Sequence, residues 1–346
     1  MKKNMRLAVV GCGYWGPNLI RNFKNLPGCE LSDLCDLNTT RLSHFKALYP
    51  DIMTHVSFED MLKERQLDAI VIATPVHLHH KLAMQSLNAG KHVMIEKPMA
   101  NSVAQCEEMA DVARKMGLVL MVGHTFLYSP HVRKIMEIIK AGDIGEILYI
   151  SSRRLNLGLF QKDINVVWDL APHDISIIQY LMEELPHAIN CQGNANVTKG
   201  IEDIGNMTLM FASGRYATVQ TSWLDPRKVR EMTIVGSKRM IVYDDLEPLH
   251  KITIYDQRVE MPPHYDSFAE FQYAYHYGDV YSPYVKQDEP LKIECRHFLD
   301  CIQSGDSPMT SAAQATDVVR ILEAASASLL QGGARISIHN QSQMDF

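Results

Sequence analysis

Three short motifs bring together residue types that can do chemistry. The first, Gly11-Cys12-Gly13-Tyr14-Trp15-Gly16, spells G-x-G-x-x-G between the apolar run Arg6 to Val10 and a segment whose Leu19, Phe23 and Leu26 recur at helical spacing. In that setting Gly11 permits a tight turn, and Gly13 lets the backbone approach a pyrophosphate at the positive end of a helix. Gly16 lets helix and strand pack closely, while Tyr14 and Trp15 fall beside the same ligand. Asp36 stands 20 residues past Gly16, where a carboxylate can accept hydrogen bonds from an adenosine ribose diol. Its charge repels a 2′-phosphate, so the pattern points to NAD rather than NADP. Arg41 is the residue that could instead swing toward such a phosphate. A glycine turn without a ligand is the simpler alternative, but strand, helix and acid are all in register here.

The second group is Thr74-Pro75-Val76-His77-Leu78-His79-His80 with Glu96-Lys97-Pro98. Each follows a short apolar run, Ala69 to Ala73 and His92 to Ile95, so both sit where the carboxyl ends of parallel strands bind ligands. Lys97 can act on a reacting oxygen, or it is a surface lysine in a turn set by Pro98. The histidines have neither an H-E-x-x-H frame nor a cysteine partner, so no metal site is expected. His80 reads as an ordinary helix residue. The third group is Trp168-Asp169-Leu170-Ala171-Pro172-His173-Asp174. Asp169 and His173 share a face if a helix begins early, and otherwise the Pro172 turn brings them together. A carboxylate beside a histidine orients it and raises its basicity, which suits a proton acceptor. On spacing alone, Asp169 could equally be a helix cap and His173 a first-turn residue.

These residues need elements to hold them. The first third alternates flat apolar runs (Arg6 to Val10, Glu30 to Cys35, Ala69 to Ala73, His92 to Ile95, Leu118 to Val122) with amphipathic helical segments, the rhythm of a parallel sheet with crossover helices. Ser102 to Met116 is one such helix, with a capping box at Ser102 and Gln105 and a stop at Gly117. Past Gly123 the rhythm changes. Helices are expected at His131 to Lys140 and His173 to Met182, with a strand from Glu146 to Arg154 between them. Strands broken by turn residues then run from Ala188 to Ile254, the pattern of a mostly antiparallel sheet. Two late helices, near Leu291 to Gln303 and Ala312 to Leu330, could pack on either domain. The expected division is 1–123, 124–338 and a polar tail at 339–346.

Composition sets the outer limits. A chain of 346 residues allows roughly two domains. Its 34 Lys+Arg against 40 Asp+Glu leave a net charge of −6, which disfavours nucleic acid as a partner. Seven scattered cysteines without a C-x-x-C pair suit a reducing cytoplasm rather than a disulfide framework. The apolar run ending at Gly11 is too short for a signal peptide, and no stretch is long enough to span a bilayer.

Taken together, the fingerprint at Gly11, Thr74-Pro75 with His79, the stretch Ala89-Gly90-Lys91-His92-Val93 to Glu96-Lys97-Pro98, Gly142 to Ile147 and Asp169-x-x-x-His173 resemble the Gfo/Idh/MocA oxidoreductases over nearly the whole chain. The resemblance implies an N-terminal Rossmann domain and a C-terminal α/β domain with a large, mostly antiparallel open sheet often used to form homo-oligomers, here a dimer or tetramer. It also implies NAD-dependent oxidation of a sugar hydroxyl. Carried over, Lys97 is the active-site lysine, His173 the acid/base and Asp169 its substrate-side companion. Gly11, Gly13, Tyr14, Trp15, Gly16, Asp36, Arg41, Thr74, Pro75, His79, Glu96 and Lys97 face the cofactor, and His124, Arg154, Asn156, Asp169 and His173 the substrate. This chain departs from the family's pattern in having Ala171, Pro172 and Ser176 where glycine and a further acid are usual, which touches the substrate contacts.

Gly13 to Leu19 and Trp168 to Asp174 further resemble the branch acting on nucleotide sugars, including UDP-N-acetylglucosamine 3-dehydrogenases that feed an aminotransferase. Arg153, Arg154, Asn156 and Lys162 could supply the local cations that a diphosphate needs, or be solvated surface charges. Strand alternation lets only one of the two arginines face the substrate, and Arg154 is the choice because it shares a face with Asn156. Alternatives are a dehydrogenase of a free sugar or polyol, and a non-catalytic dinucleotide sensor. The Tyr265 to Tyr284 stretch, dense in aromatic residues, reads as an inter-subunit loop.

Overall fold

The computed structural model describes residues 4–260 and 274–338, apart from the side chain of Glu64. The chain forms two compact units, Met1–Ser129 with Asp288–Arg320 and Pro130–Gln287 with Ile321–Phe346. The first is built from β1 (Met5–Val10), α1 (Gly16–Lys24), β2 (Cys29–Cys35), α2 (Thr39–Leu48), β3 (Met53–His55), α3 (Phe58–Glu64), β4 (Ala69–Ile72), α4 (His79–Asn88), β5 (His92–Glu96), α5 (Val103–Met116) and β6 (Leu120–Gly123). The strands make a parallel sheet of order β3-β2-β1-β4-β5-β6. Both β1 and β4 are buried along most of their length, as helices on both faces require. The cap on α5 forms as expected. Ser102 Oγ accepts from the Gln105 N–H, and Gly117 closes the helix at φ +64°.

The second unit holds α6 (Pro130–Lys140), β7 (Ile147–Leu157), α7 (Val166–Met182) and strands β8 (Pro186–Asn194), β9 (Ile204–Phe211), β10 (Tyr216–Ser222), β11 (Leu224–Gly236), β12 (Met240–Asp244), β13 (Ile252–Glu260) and β14 (Ala274–Tyr281). After α8 (Pro290–Ser304) and α9 (Ala312–Leu330), β15 (Ile336–Ser337) completes a nine-stranded sheet of order β14-β13-β12-β11-β7-β10-β9-β8-β15. Its pairs are antiparallel except β7 with β10. α7 packs against β7, β9 and β10, placing the Asp169 and His173 segment on the sheet.

The sequence reading ran the second domain without a break from 124 to 338. In the structure 288–320 join the first unit instead, because α8 buries Leu291, Cys295, Phe298 and Leu299 in the same core as Leu19, Phe23 and Val71. Phe23 and Phe298 meet edge to face at 6.4 Å. Residues 265–273 of the aromatic stretch and the tail after Ile338 lie outside the described residues. Among the described residues no helix is long and apolar enough to cross a membrane, and no group of His, Cys, Asp or Glu is arranged to hold a metal ion.

Candidate active site

The glycine loop follows β1. Gly11 lies at φ +96°, and a Cβ there would stand 2.5 Å from the Ala73 carbonyl oxygen. A Cβ on Gly16 would stand 2.1 Å from the Gly11 carbonyl oxygen, so helix and turn meet there as closely as backbone allows. Gly13 is different: its nearest neighbour is Arg41 Nη1, 3.6 Å from where a Cβ would be. That leaves an open backbone face at the start of α1, whose N-terminal N–H groups receive no side-chain cap. A helix start without a side-chain cap, beside a residue that only glycine leaves bare, fits a dinucleotide pyrophosphate. Tyr14 is 84% exposed on the same loop.

Asp36 ends β2 and already works within the protein. Its Oδ2 accepts from the Cys12 N–H at 2.6 Å and its Oδ1 from the Asn38 N–H at 2.7 Å, so it braces the glycine loop. Lone pairs remain for a ribose diol. Arg41 Nη1 lies 3.7 Å from Asp36 Oδ2, engaged with that carboxylate. Asp36→Ala should therefore weaken NAD by on the order of 1–3 kcal/mol and narrow its advantage over NADP. Titrating both cofactors into both proteins decides this, and equal NAD affinity would remove the role.

At the ends of β4 and β5 the structure corrects one assignment. His79, expected to face the cofactor, is buried, with Nδ1 2.9 Å from the Pro98 carbonyl and Nε2 2.8 Å from the Thr74 carbonyl. Its ring bridges the Thr74-Pro75 turn and the Glu96-Lys97-Pro98 turn, donating its one N–H to one of the two carbonyls, and thus positions both. His80 pairs with Glu108 at 2.8 Å on the surface. Lys97 is half-buried where β5 ends and precedes Pro98 through a cis peptide bond. The Trp15 side chain lies near the Glu96 carboxylate and favours its charged form, which brings this turn beside the glycine loop. His124 follows β6, 1% exposed, and neither ring nitrogen has a partner among the described residues. Burial and the Lys97 charge push it down to about 3, so it is neutral at pH 7.

In the second unit α7 starts seven residues before the expected His173. Asn165 caps it by accepting from the Trp168 N–H, and Pro172 lies inside the helix. Asp169 and His173 are thus four residues apart on one helix face, and Asp169 is not the cap. Trp223 Nε1 donates to Asp169 Oδ2 at 3.0 Å and fixes the carboxylate. Ser176 Oγ donates to the His173 carbonyl.

Arg154 does not reach solvent. Its Nε donates to Asp174 Oδ2 at 2.6 Å and its Nη2 to Oδ1 at 3.1 Å, and the two residues are only 5% and 3% exposed. Strand alternation does put Arg154 and Asn156 on one face of β7, but α7 supplies the partner that buries the arginine. Asn156 is half-buried, Arg153 pairs with Glu231 at 2.6 Å, and Lys162 is exposed. One contributor escaped the sequence reading: Trp223, which carries no local signal. Glu294 does carry one, a buried carboxylate set in the apolar stripe Leu291, Cys295, Phe298, Leu299.

Residues 5–124 match the oxidoreductase family with an NAD-binding Rossmann fold, and residues 132–242 the GFO/IDH/MocA C-terminal domain. The chain belongs to the Gfo/Idh/MocA family: it is an NAD-binding oxidoreductase. It is 25% identical over 329 residues to 4-carboxy-2-hydroxymuconate-6-semialdehyde dehydrogenase of Sphingobium sp., covering 92% of this chain and 96% of that one. It is 23% identical over 321 residues to myo-inositol 2-dehydrogenase of Thermotoga maritima, covering 89% and 91%. Among solved structures, UDP-N-acetylglucosamine 3-dehydrogenase from Acidithiobacillus ferrooxidans superposes with a TM-score of 0.78 at 22% identity, over 95% of this chain and 98% of that one.

Proposed function

We propose that the protein oxidises a secondary hydroxyl, at C3, of a UDP-linked N-acetylhexosamine to the ketone. The observation that carries the reading is the pair Asp169 and His173, one turn apart on α7, with Asp169 anchored by Trp223. His173 takes the hydroxyl proton, and Asp169 orients it and holds a neighbouring hydroxyl. Lys97 steadies the negative charge that develops on the reacting oxygen. When bound at the glycine loop, NAD supplies the hydride acceptor. The buried His124 and the half-buried Asn156 are further candidates to meet the sugar. A ketone product suits a following aminotransferase, and the open sheet suits a homo-oligomer.

The nucleotide part of the reading is supported by the structural likeness to a UDP-sugar dehydrogenase and by the exposed Lys162 near the end of β7. One observation favours a second reading, oxidation of a free sugar or polyol: Arg154, the cation expected to hold a diphosphate, is committed to Asp174. Following NADH absorbance separates the two. With UDP-linked N-acetylhexosamines, free N-acetylglucosamine and inositol as substrates, the UDP-linked sugars should turn over with much the highest kcat/KM. Equal or faster oxidation of a free sugar would overturn the nucleotide reading and promote the second.

A further inference from the structure

The first unit buries more carboxylate than its hydrogen bonds account for. Glu294 on α8 is 0% exposed; Thr125 Oγ1 donates to its Oε2 at 2.7 Å, and its Oε1 has no partner among the described residues. Glu96, at the end of β5, has a buried Oε1 in the same condition. Its carboxylate lies against Gly123, where a Cβ would stand 3.0 Å from both oxygens. The segment Gly123-His124-Thr125 therefore has the Glu96 carboxyl at one end and the Glu294 carboxyl at the other. His124, between them, is neutral and cannot balance either charge. The cation acting on Glu96 is its chain neighbour Lys97. Two ionised carboxylates against one ammonium would be costly to bury, whereas a protonated carboxyl carries no charge to be balanced.

We propose that Glu294 is held as a neutral carboxylic acid, so that no second negative charge faces the Glu96 carboxylate, and is a positioning residue that fixes the Glu96-Lys97-Pro98 turn for NAD. The inference rests on the family's NAD binding and on no choice of sugar. Burial raises Glu294 well above the usual carboxylate range, and the charge of Glu96 raises it further. Burial likewise pushes Glu96 up to about 7. The other titratable neighbours, Tyr128 beyond Thr125 and Cys295 next to Glu294, are also pushed up by burial and stay protonated. Because Trp15 of the glycine loop lies near Glu96, the position of that carboxylate bears on the loop as well.

The test compares Glu294→Gln and Glu294→Leu in the full chain. Gln retains a donor without charge, so its NAD dissociation constant by calorimetry should stay within about threefold of wild type, while Leu should weaken NAD by about tenfold or more. Infrared difference spectra of cofactor-free wild type minus Glu294→Gln at pH 7 should show the C=O stretch of a protonated carboxyl. Stability against pH gives a third readout. A carboxyl whose folded pKa lies above its unfolded value of 4.5 stabilises the fold fully only below that value, and the contribution is lost as pH rises toward the folded pKa. Glu294→Gln should therefore lose less stability than wild type as pH rises above 4.5. Absence of the carboxyl band, or Leu binding NAD like wild type, would overturn the proposal. Should the Leu protein fail to fold, the infrared and pH comparisons with Gln still decide. None of these readouts involves a sugar, so failure of the substrate reading leaves them unaffected.

Discussion

Lys97→Met should abolish measurable turnover while NAD still binds. The expectation follows from where each group sits. The dinucleotide features, the bare backbone at Gly13, the uncapped start of α1 and Asp36, lie at the ends of β1 and β2, whereas Lys97 lies at the end of β5. Methionine keeps the length and apolar stem of the side chain but not its charge, so the developing alkoxide loses its stabiliser. Removing one such electrostatic partner typically costs about 10²–10³ in kcat. His173→Asn should remove the proton acceptor, a loss of roughly 10²–10⁴, together with one ionisation in the pH–rate profile. Steady-state NADH absorbance and NAD calorimetry on the same preparations provide the check. A Lys97→Met protein with near-native kcat would defeat the mechanism, and failure of either variant to fold would return that residue to a structural role.

How far the sequence leads depends on the range of the interaction. The glycine fingerprint and Asp36 were legible because they depend on local turn geometry and on spacing along a few consecutive elements. Flat apolar runs marked the long strands of the first sheet, but β3, at three residues, is too short to leave a pattern. The start of α7 was misplaced for a definite reason. Pro172 was read as a turn ahead of the helix, whereas it lies inside it, Asn165 caps the helix and Val166 and Val167 bury its first turn. The long-range pairings left no trace. Alternation placed Arg154 on the same face of β7 as Asn156, yet nothing in that segment announced that Asp174 would cover it. The same holds for Trp223 reaching Asp169 across 54 residues and Thr125 reaching Glu294 across 169. His79 was seen as a residue of the site and misjudged in role, because motif spacing does not reveal which way a ring points.

Asp174→Ala should cost the second unit about 3–5 kcal/mol, the usual consequence of leaving one member of a buried ion pair alone. Asp174 accepts from Arg154 through both carboxylate oxygens and from Ser152 Oγ at 2.7 Å, so the substitution orphans a guanidinium and a hydroxyl at once. Neither Arg154 nor Asp174 is exposed enough for water to replace the lost bonds. The opposite change is informative: Arg154→Met with Asp174→Leu removes both charges and fills the space with apolar atoms, and should cost far less than either single substitution. Urea titration followed by the fluorescence of Trp168 and Trp223, which both lie in this unit, measures the difference. Because α7 carries Asp169 and His173 directly before Asp174, the milder Asp174→Asn should also lower kcat more than it lowers stability. A loss below about 1 kcal/mol for Asp174→Ala, the range of exposed pairs, would mean that the pair opens to solvent, and would restore Arg154 as a candidate for the substrate's diphosphate.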